Sequence, residues 1–211
     1  MRALIVSGGK APSEELLREY LMGAEIVIGA DKGCEALLKH NIVPTYILGD
    51  FDSASKETIS KLEEMGVCKF KYKAEKDYTD TELAFNLALD KGASEIIMLG
   101  VTGTRYDHTL GNIGLLLKAL NLNINAKIVD ENNIIYLINK NIILNGKPGD
   151  IISLQAYFQT VKSLTIKGAK YELNKYDLKI GESITTSNEF VDKAIEISFE
   201  DGILMVLHTK D

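Results

Sequence analysis

Cysteine is scarce in this sequence. Cys34 and Cys68 stand far apart, with no CxxC spacing and no neighbouring histidine. That speaks against a disulfide framework and a thiolate zinc site, and two free thiols fit a reducing cytoplasm. Long hydrophobic runs are missing too. No stretch approaches the roughly 20 apolar residues that span a bilayer. The apolar run in MRALIVSGGK stops at glycines, too soon for a signal peptide. Positive charge is in short supply: 24 Lys and Arg face 30 Asp and Glu, a net charge of -6. Nucleic-acid binders usually carry a basic stripe, so this balance argues against one. It does not exclude a nucleotide, because local cations and backbone amides can offset phosphates.

Several familiar catalytic devices are absent as well. Ser7-Gly8-Gly9-Lys10 lacks the spacing of a P-loop, although its glycines would let a backbone approach a ligand. Gly100-x-x-Gly103 lacks the third glycine of a dinucleotide fingerprint, and no acidic residue follows at the expected place. No GxSxG elbow exists. A nicotinamide dehydrogenase and a Ser–His–Asp hydrolase are thereby disfavoured. Of the three histidines, only His108 has a suggestive neighbourhood.

What is present divides into two halves. The 211 residues are 45% hydrophobic and 26% charged, an ordinary globular balance without a disorder signature. Up to about residue 125, short apolar runs at 3–7, 26–30, 46–48 and 95–99 alternate with amphipathic stretches. Those stretches lie at 14–22, 35–40, 56–65, 80–91 and 109–120. Apolar runs without polar alternation are strands covered on both faces, and alternating βα units predict a mostly parallel sheet. After about residue 130 the helical period stops, and strand-like runs at 133–144, 150–158, 164–166, 193–199 and 203–209 follow. Asn145-Gly146 and Asp201-Gly202 read as hairpin turns between them. The expectation is a Rossmann-like α/β domain over 1–130 and an all-β sandwich over 131–211.

In open α/β sheets, ligands bind beyond the carboxyl ends of the strands. The polar motifs fall there: Ser7-Gly8-Gly9, Asp31-Lys32-Gly33, Gly49-Asp50-Phe51-Asp52-Ser53, Lys76-Asp77-Tyr78-Thr79-Asp80 and Gly100 through His108. Asp50 with Asp52, and Asp77 with Asp80, are close acidic pairs. Carboxylates converging on one site repel unless a divalent cation neutralises them. Magnesium takes one or two carboxylates plus substrate phosphates, so a Mg-nucleotide site is the economical reading. Plain structural jobs compete with it. Asp52 or Ser53 could cap the helix at 56–65, Thr79-x-x-Glu82 is a capping box, and Asp107 could cap the helix near Thr109. Capping does not explain why Asp50, Asp77, Lys76 and Arg105 gather at the same edge.

At these residues the sequence resembles the thiamine pyrophosphokinase family. The matching pieces are Ala30-Asp31-Lys32-Gly33, Gly49-Asp50-Phe51-Asp52-Ser53, Lys76-Asp77-Tyr78-Thr79-Asp80, and Gly103 to His108 with Asn112. Ser187-Asn188-Glu189 resembles the family's short Ser-Asn element. Lys32 departs from the pattern, since many relatives carry glycine there. The resemblance implies an ATP-dependent diphosphotransferase: the thiamine hydroxyl attacks the β-phosphorus and AMP leaves. It implies a homodimer, with a cleft lined by both subunits. It implies a catalytic set of Asp50, Asp52, Asp77, Asp80 and Arg105, with Mg2+ on Asp50, Asp52 and Asp80. Asp31, Lys76, Thr79, Thr102, Gly103, Arg105, Asp107 and His108 are then expected around the nucleotide, and Ser187, Asn188 and Phe190 around thiamine. Another acceptor on the same metal–nucleotide site, or a nucleotide-responsive binding protein, are the rivals. Four aspartates kept together favour an enzyme over the second.

Overall fold

The structure is a computed structural model that describes residues 1–73 and 77–211. It divides into two compact units, Met1–Glu131 and Asn132–Asp211.

The first unit is the α/β half. Among its described residues six strands alternate with five helices: β1 Arg2–Val6, α1 Glu14–Leu21, β2 Ile26–Ala30, α2 Gly33–Lys39, β3 Tyr46–Gly49, α3 Lys56–Glu64, β4 Cys68–Lys71, α4 Asp80–Asp90, β5 Glu95–Leu99, α5 Tyr106–Asn121 and β6 Asn125–Val129. The strands are parallel in the order β6-β5-β1-β2-β3-β4. β1 and β2 are buried along almost their whole length, which accounts for their unbroken Ala, Leu, Ile and Val. Connections run one way from β1 to β4 and the other way to β5 and β6. The order therefore reverses between β1 and β5.

Two strands escape a reading by apolar runs. β4, sequence CKFK, is an edge strand with both ends exposed, and its lysines suit an edge that must not pair further. β6 has three polar or small residues before Ile128 and Val129 enter the core. The helix starts also differ from expectation. Ser55 is the N-cap of α3, accepting from the Thr58 N–H, so neither Asp52 nor Ser53 has that job. α5 begins at Tyr106, which puts Asp107 inside its first turn instead of at the cap.

The second unit is the antiparallel sandwich. Its strands are β7 Asn133–Ile138, β8 Ile142–Asn145, β9 Ile151–Ala156, β10 Val161–Lys167, β11 Leu173–Leu178, β12 Asn188–Glu189, β13 Ala194–Ser198 and β14 Leu204–Thr209. Within this unit β12-β9-β14-β7 form one layer and β11-β10-β13-β8 the other. Leu144, Leu154, Val161, Leu164, Ile166, Phe190, Ile195 and Val206 fill the space between. The run at 133–144 is two strands in different layers, and neither expected hairpin forms. Gly146 lies on the way from β8 to β9, and Gly202 on the way from β13 to β14, so both turns carry the chain across the sandwich. The glycines serve crowding: a Cβ on Gly146 would come within 2.9 Å of Phe190 ring atoms, and one on Gly202 within 2.7 Å of the Val161 Cα.

Candidate active site

Ala30 and Leu48 are register partners, so Asp31 and Gly49 leave the sheet side by side. The Asp31 N–H donates to the Leu48 carbonyl at 2.8 Å. Asp31 sits at φ 47 and Phe51 at φ 61, a left-handed region that side chains enter at a cost. Gly49, at φ +148, leaves room for this: a Cβ there would be 3.3 Å from both Cα and Cβ of Asp31. The Ser53 hydroxyl donates to Asp31 Oδ2. Asp31 Oδ1 is buried and has no hydrogen-bond partner among the described residues. Asp50 Oδ1 accepts the Asp52 N–H at 3.0 Å, an Asx turn that fixes the two acids together. Between them Phe51 packs on the cluster of Cys34, Ile47, Ala54, Ile59, Leu62 and Val67. The alternation thus anchors an aromatic ring inward while Asp50 stays half-buried and Asp52 exposed.

The second group stands at the start of α4. Thr79 caps the helix by accepting the Glu82 N–H at 3.2 Å, as the capping box implies. The Thr81 hydroxyl donates to Ser7 Oγ at 3.0 Å, and both residues are buried, which pins this helix end to the end of β1. Asp80 and Glu82 occupy the first turn. They already complement the helix dipole, so this terminus would not welcome a phosphate without a cation between. Asp77 is exposed and Asp80 half-buried. Lys76 lies outside the described residues.

The third group follows β5. Gly9 and Lys10 donate their N–H groups to the Gly100 and Thr102 carbonyls, both at 2.7 Å. A Cβ on Gly9 would fall 2.4 Å from the Thr102 oxygen. These glycines therefore zip the β1 and β5 loops together, and the Gly9 and Lys10 amides are not free to cradle a ligand. Asn112, 6% exposed, donates to the Val101 carbonyl at 2.7 Å and holds the loop from beneath. The Thr102 hydroxyl donates to Asp130 Oδ2 at 3.0 Å. Sequence patterns gave no hint of Asp130, whose position is set only by the end of β6. Gly103 and His108 are exposed. Arg105 makes a two-pronged pair with Asp107, Nε to Oδ1 at 3.2 Å and a terminal nitrogen to Oδ2 at 2.6 Å. Its guanidinium pulls the Asp107 carboxyl down to about 2, chiefly through that hydrogen bond. Arg105 and Asp107 thus offset each other's charge in an exposed pair.

Oxygen donors dominate the first two groups, which suits a hard cation such as magnesium. Among the described residues, no three His, Cys, Asp or Glu side chains gather as a ready-made cage. Asp50, Asp52 and Asp80 are therefore separate donors, and among the described residues the Asp31 Oδ1 oxygen is the one buried side-chain atom that lacks a hydrogen-bond partner.

In the sandwich unit, the expected thiamine residues divide. Ser187 is exposed at φ 55, its N–H bound to Ser153 Oγ at 2.9 Å. Asn188 is 3% exposed and grips the Tyr171 backbone, donating to its carbonyl at 2.8 Å and accepting its N–H at 2.9 Å. Phe190, 1% exposed, belongs to the core. In this structure Asn188 and Phe190 build the turn from behind, and Ser187 presents it. Nearby, the ring of Tyr171 is 59% exposed, with the Lys170 ammonium 5.6 Å from its centre.

Similarity to known proteins identifies the family. The model of the thiamin pyrophosphokinase catalytic domain matches residues 17–128, and that of the thiamin pyrophosphokinase vitamin B1 binding domain matches residues 140–204. The thiamine pyrophosphokinase of Bacillus subtilis is 34% identical over 209 residues, 98% of each chain. A crystal structure of thiamine pyrophosphokinase from that organism superimposes with a TM-score of 0.91 at 31% identity, covering 100% of both chains. The enzyme from Geobacillus thermodenitrificans gives 0.86 at 31% identity, over 100% of this chain and 98% of that one. With both domain models matched in order and full-length likeness to these enzymes, the chain belongs to the thiamine pyrophosphokinase family.

Proposed function

We propose that this protein is a Mg2+-dependent thiamine pyrophosphokinase, moving diphosphate from ATP to the thiamine hydroxyl. The observation that carries the reading is the locked pair of loops at the ends of β2 and β3. They carry Asp31 on one loop and Asp50 with Asp52 on the next, and Asp31 Oδ1 is buried without a hydrogen-bond partner among the described residues. Residues 1–130 would bind the nucleotide and residues 131–211 thiamine.

In the reaction, the thiamine hydroxyl oxygen forms a bond to the β-phosphorus and gives up its proton. The bond from that phosphorus to the α–β bridging oxygen breaks, and AMP leaves with the oxygen. Such a transfer depends mainly on positioning and on neutralising charge. Asp50, Asp52 and Asp80 would hold Mg2+, with Asp77 close by. When bound, the ion supplies charge neutralisation and orientation of the phosphates. Arg105 would turn its fork from Asp107 toward phosphate oxygens, and Lys76 would add a second cation. Thr79, with its lone pair engaged by the cap, keeps its hydroxyl proton to donate. Asp31, Thr102, Gly103, Asp107 and His108 would border the nucleotide. Ser187 would meet the cationic thiamine, with Asn188 and Phe190 shaping the turn behind it. A homodimer with its cleft lined by both subunits, and a cytoplasmic location, belong to the same proposal. No helix among the described residues is long and apolar enough to cross a membrane.

Incubation with Mg-ATP and thiamine, followed by chromatography, tests this. AMP and thiamine diphosphate are the expected products; ADP or free pyrophosphate would overturn the reading. Asp52→Asn should abolish turnover while the melting temperature holds, because Asp52 is exposed and caps nothing.

A further inference from the structure

The geometry points to Ser53 as a positioning residue that fixes the Asp31 carboxylate, so that its free oxygen takes the divalent cation directly. The inference rests on the metal–nucleotide reading above, which set Asp31 beside the nucleotide and gave Ser53 no role.

Three constraints meet at Asp31. Its backbone is held by the bond from its N–H to the Leu48 carbonyl and by its left-handed φ of 47. Its Cα and Cβ lie against Gly49, where any side chain would crowd them. The remaining freedom is rotation of the carboxylate, and the Ser53 hydroxyl stops that by donating to Oδ2. Oδ1 is then left buried without a donor among the described residues. A buried carboxylate oxygen without a partner is costly in water-poor surroundings, and described protein donors do not satisfy this one. A cation would. Asp50, whose Oδ1 is held by the Asp52 N–H, leaves the sheet on the neighbouring strand. With Ser53 removed, the Asp31 carboxylate can rotate and meet water or backbone, and the direction of the free oxygen is lost. Ser53 is itself exposed and does not cap α3, so its removal should spare the fold.

The test uses the full chain, Mn2+ as probe and α,β-methylene-ATP as a nucleotide that cannot transfer its diphosphate. Free Mn2+ is read by electron paramagnetic resonance. A hydrogen bond to a charged group is worth about a tenfold change in an equilibrium or more. Ser53→Ala should therefore weaken Mn2+ binding about tenfold with an unchanged melting temperature, and Ser53→Thr, which keeps the hydroxyl, should restore it to within about twofold. Asp31→Asn should weaken binding further, and Ser53→Ala added to it should cost nothing more, because both act through one carboxylate. Equal binding by wild type and Ser53→Ala, or additive losses in the double variant, would overturn the inference alone. A wild-type protein that holds no Mn2+ even with nucleotide would overturn both it and the metal–nucleotide reading.

Discussion

Replacing Asn188 by alanine removes three hydrogen bonds at once: those to the Tyr171 carbonyl, from the Tyr171 N–H and from the Glu189 N–H. The last is between sequence neighbours and is easily replaced by water. The two to Tyr171 join segments 17 residues apart, and the side chain that makes them is 3% exposed. Each is worth about 1 kcal/mol net, and up to about 3 kcal/mol where the abandoned partner stays dry. The loss should come to about 2–4 kcal/mol. For a chain of this length, 1 kcal/mol moves the melting temperature by about 2–4 °C. Asn188→Ala should then melt roughly 5–15 °C below wild type by circular dichroism. Asn188→Asp retains the acceptor but sets a buried carboxylate oxygen against the Tyr171 carbonyl, so it should melt no higher than the alanine variant. An alanine variant that melts within about 2 °C of wild type, yet needs tenfold more thiamine for half-maximal turnover, would refute the reasoning. The amide would then serve the ligand and not the turn.

Two further outcomes follow from other parts of the structure. The Asp107 carboxyl, held at about 2 by Arg105, lies below its ordinary 3.8. The favourable pairing is complete above the ordinary value and is lost as pH falls through about 2; an NMR titration with a midpoint near 4 would show that the pair does not form in solution. Ser55→Ala should lower the melting temperature by about 2–4 °C, the effect of losing an N-cap worth about 1 kcal/mol. Asp52→Ala should leave it unchanged, and the opposite order would return the capping role to Asp52.

The α/β half was legible because its signals are local. Ile26–Ala30 reads as a covered strand by composition alone, and Thr79 with Glu82 marks a helix start within four residues. The acidic loops were visible for the same reason, each being a short segment at a strand end. What was not legible depends on distant partners. β4 is half polar because it lies at an edge, and β11 carries Asn, Lys and Asp on a solvent face; neither has a distinctive period. Asn145-Gly146 looks like a hairpin turn, and only packing against Phe190 reveals why the chain needs glycine there while changing layers. At the site, Ser53 stood inside a recognised motif, but its bond to Asp31 spans 22 residues and cannot be read from spacing. Burial likewise decided Phe190, since an aromatic beside a polar turn looks the same whether it faces ligand or core.

The alternation of the sandwich strands between layers has a consequence for how the protein is made. β10 and β11 are the neighbours in sequence that also pair directly in one sheet. β14, the latest of these strands in sequence, lies between β9 and β7 and is hydrogen-bonded to both. Synthesis proceeds from the amino end, so the α/β unit can fold while the sandwich is still emerging. The sandwich cannot close until its middle strand has left the ribosome. Until then β7 and β9 expose edges along Ile134–Ile138 and Ile151–Ala156, and pairing across such sequence distances is slow. The nascent chain is most open to aggregation in that interval, and chaperone capture should concentrate there.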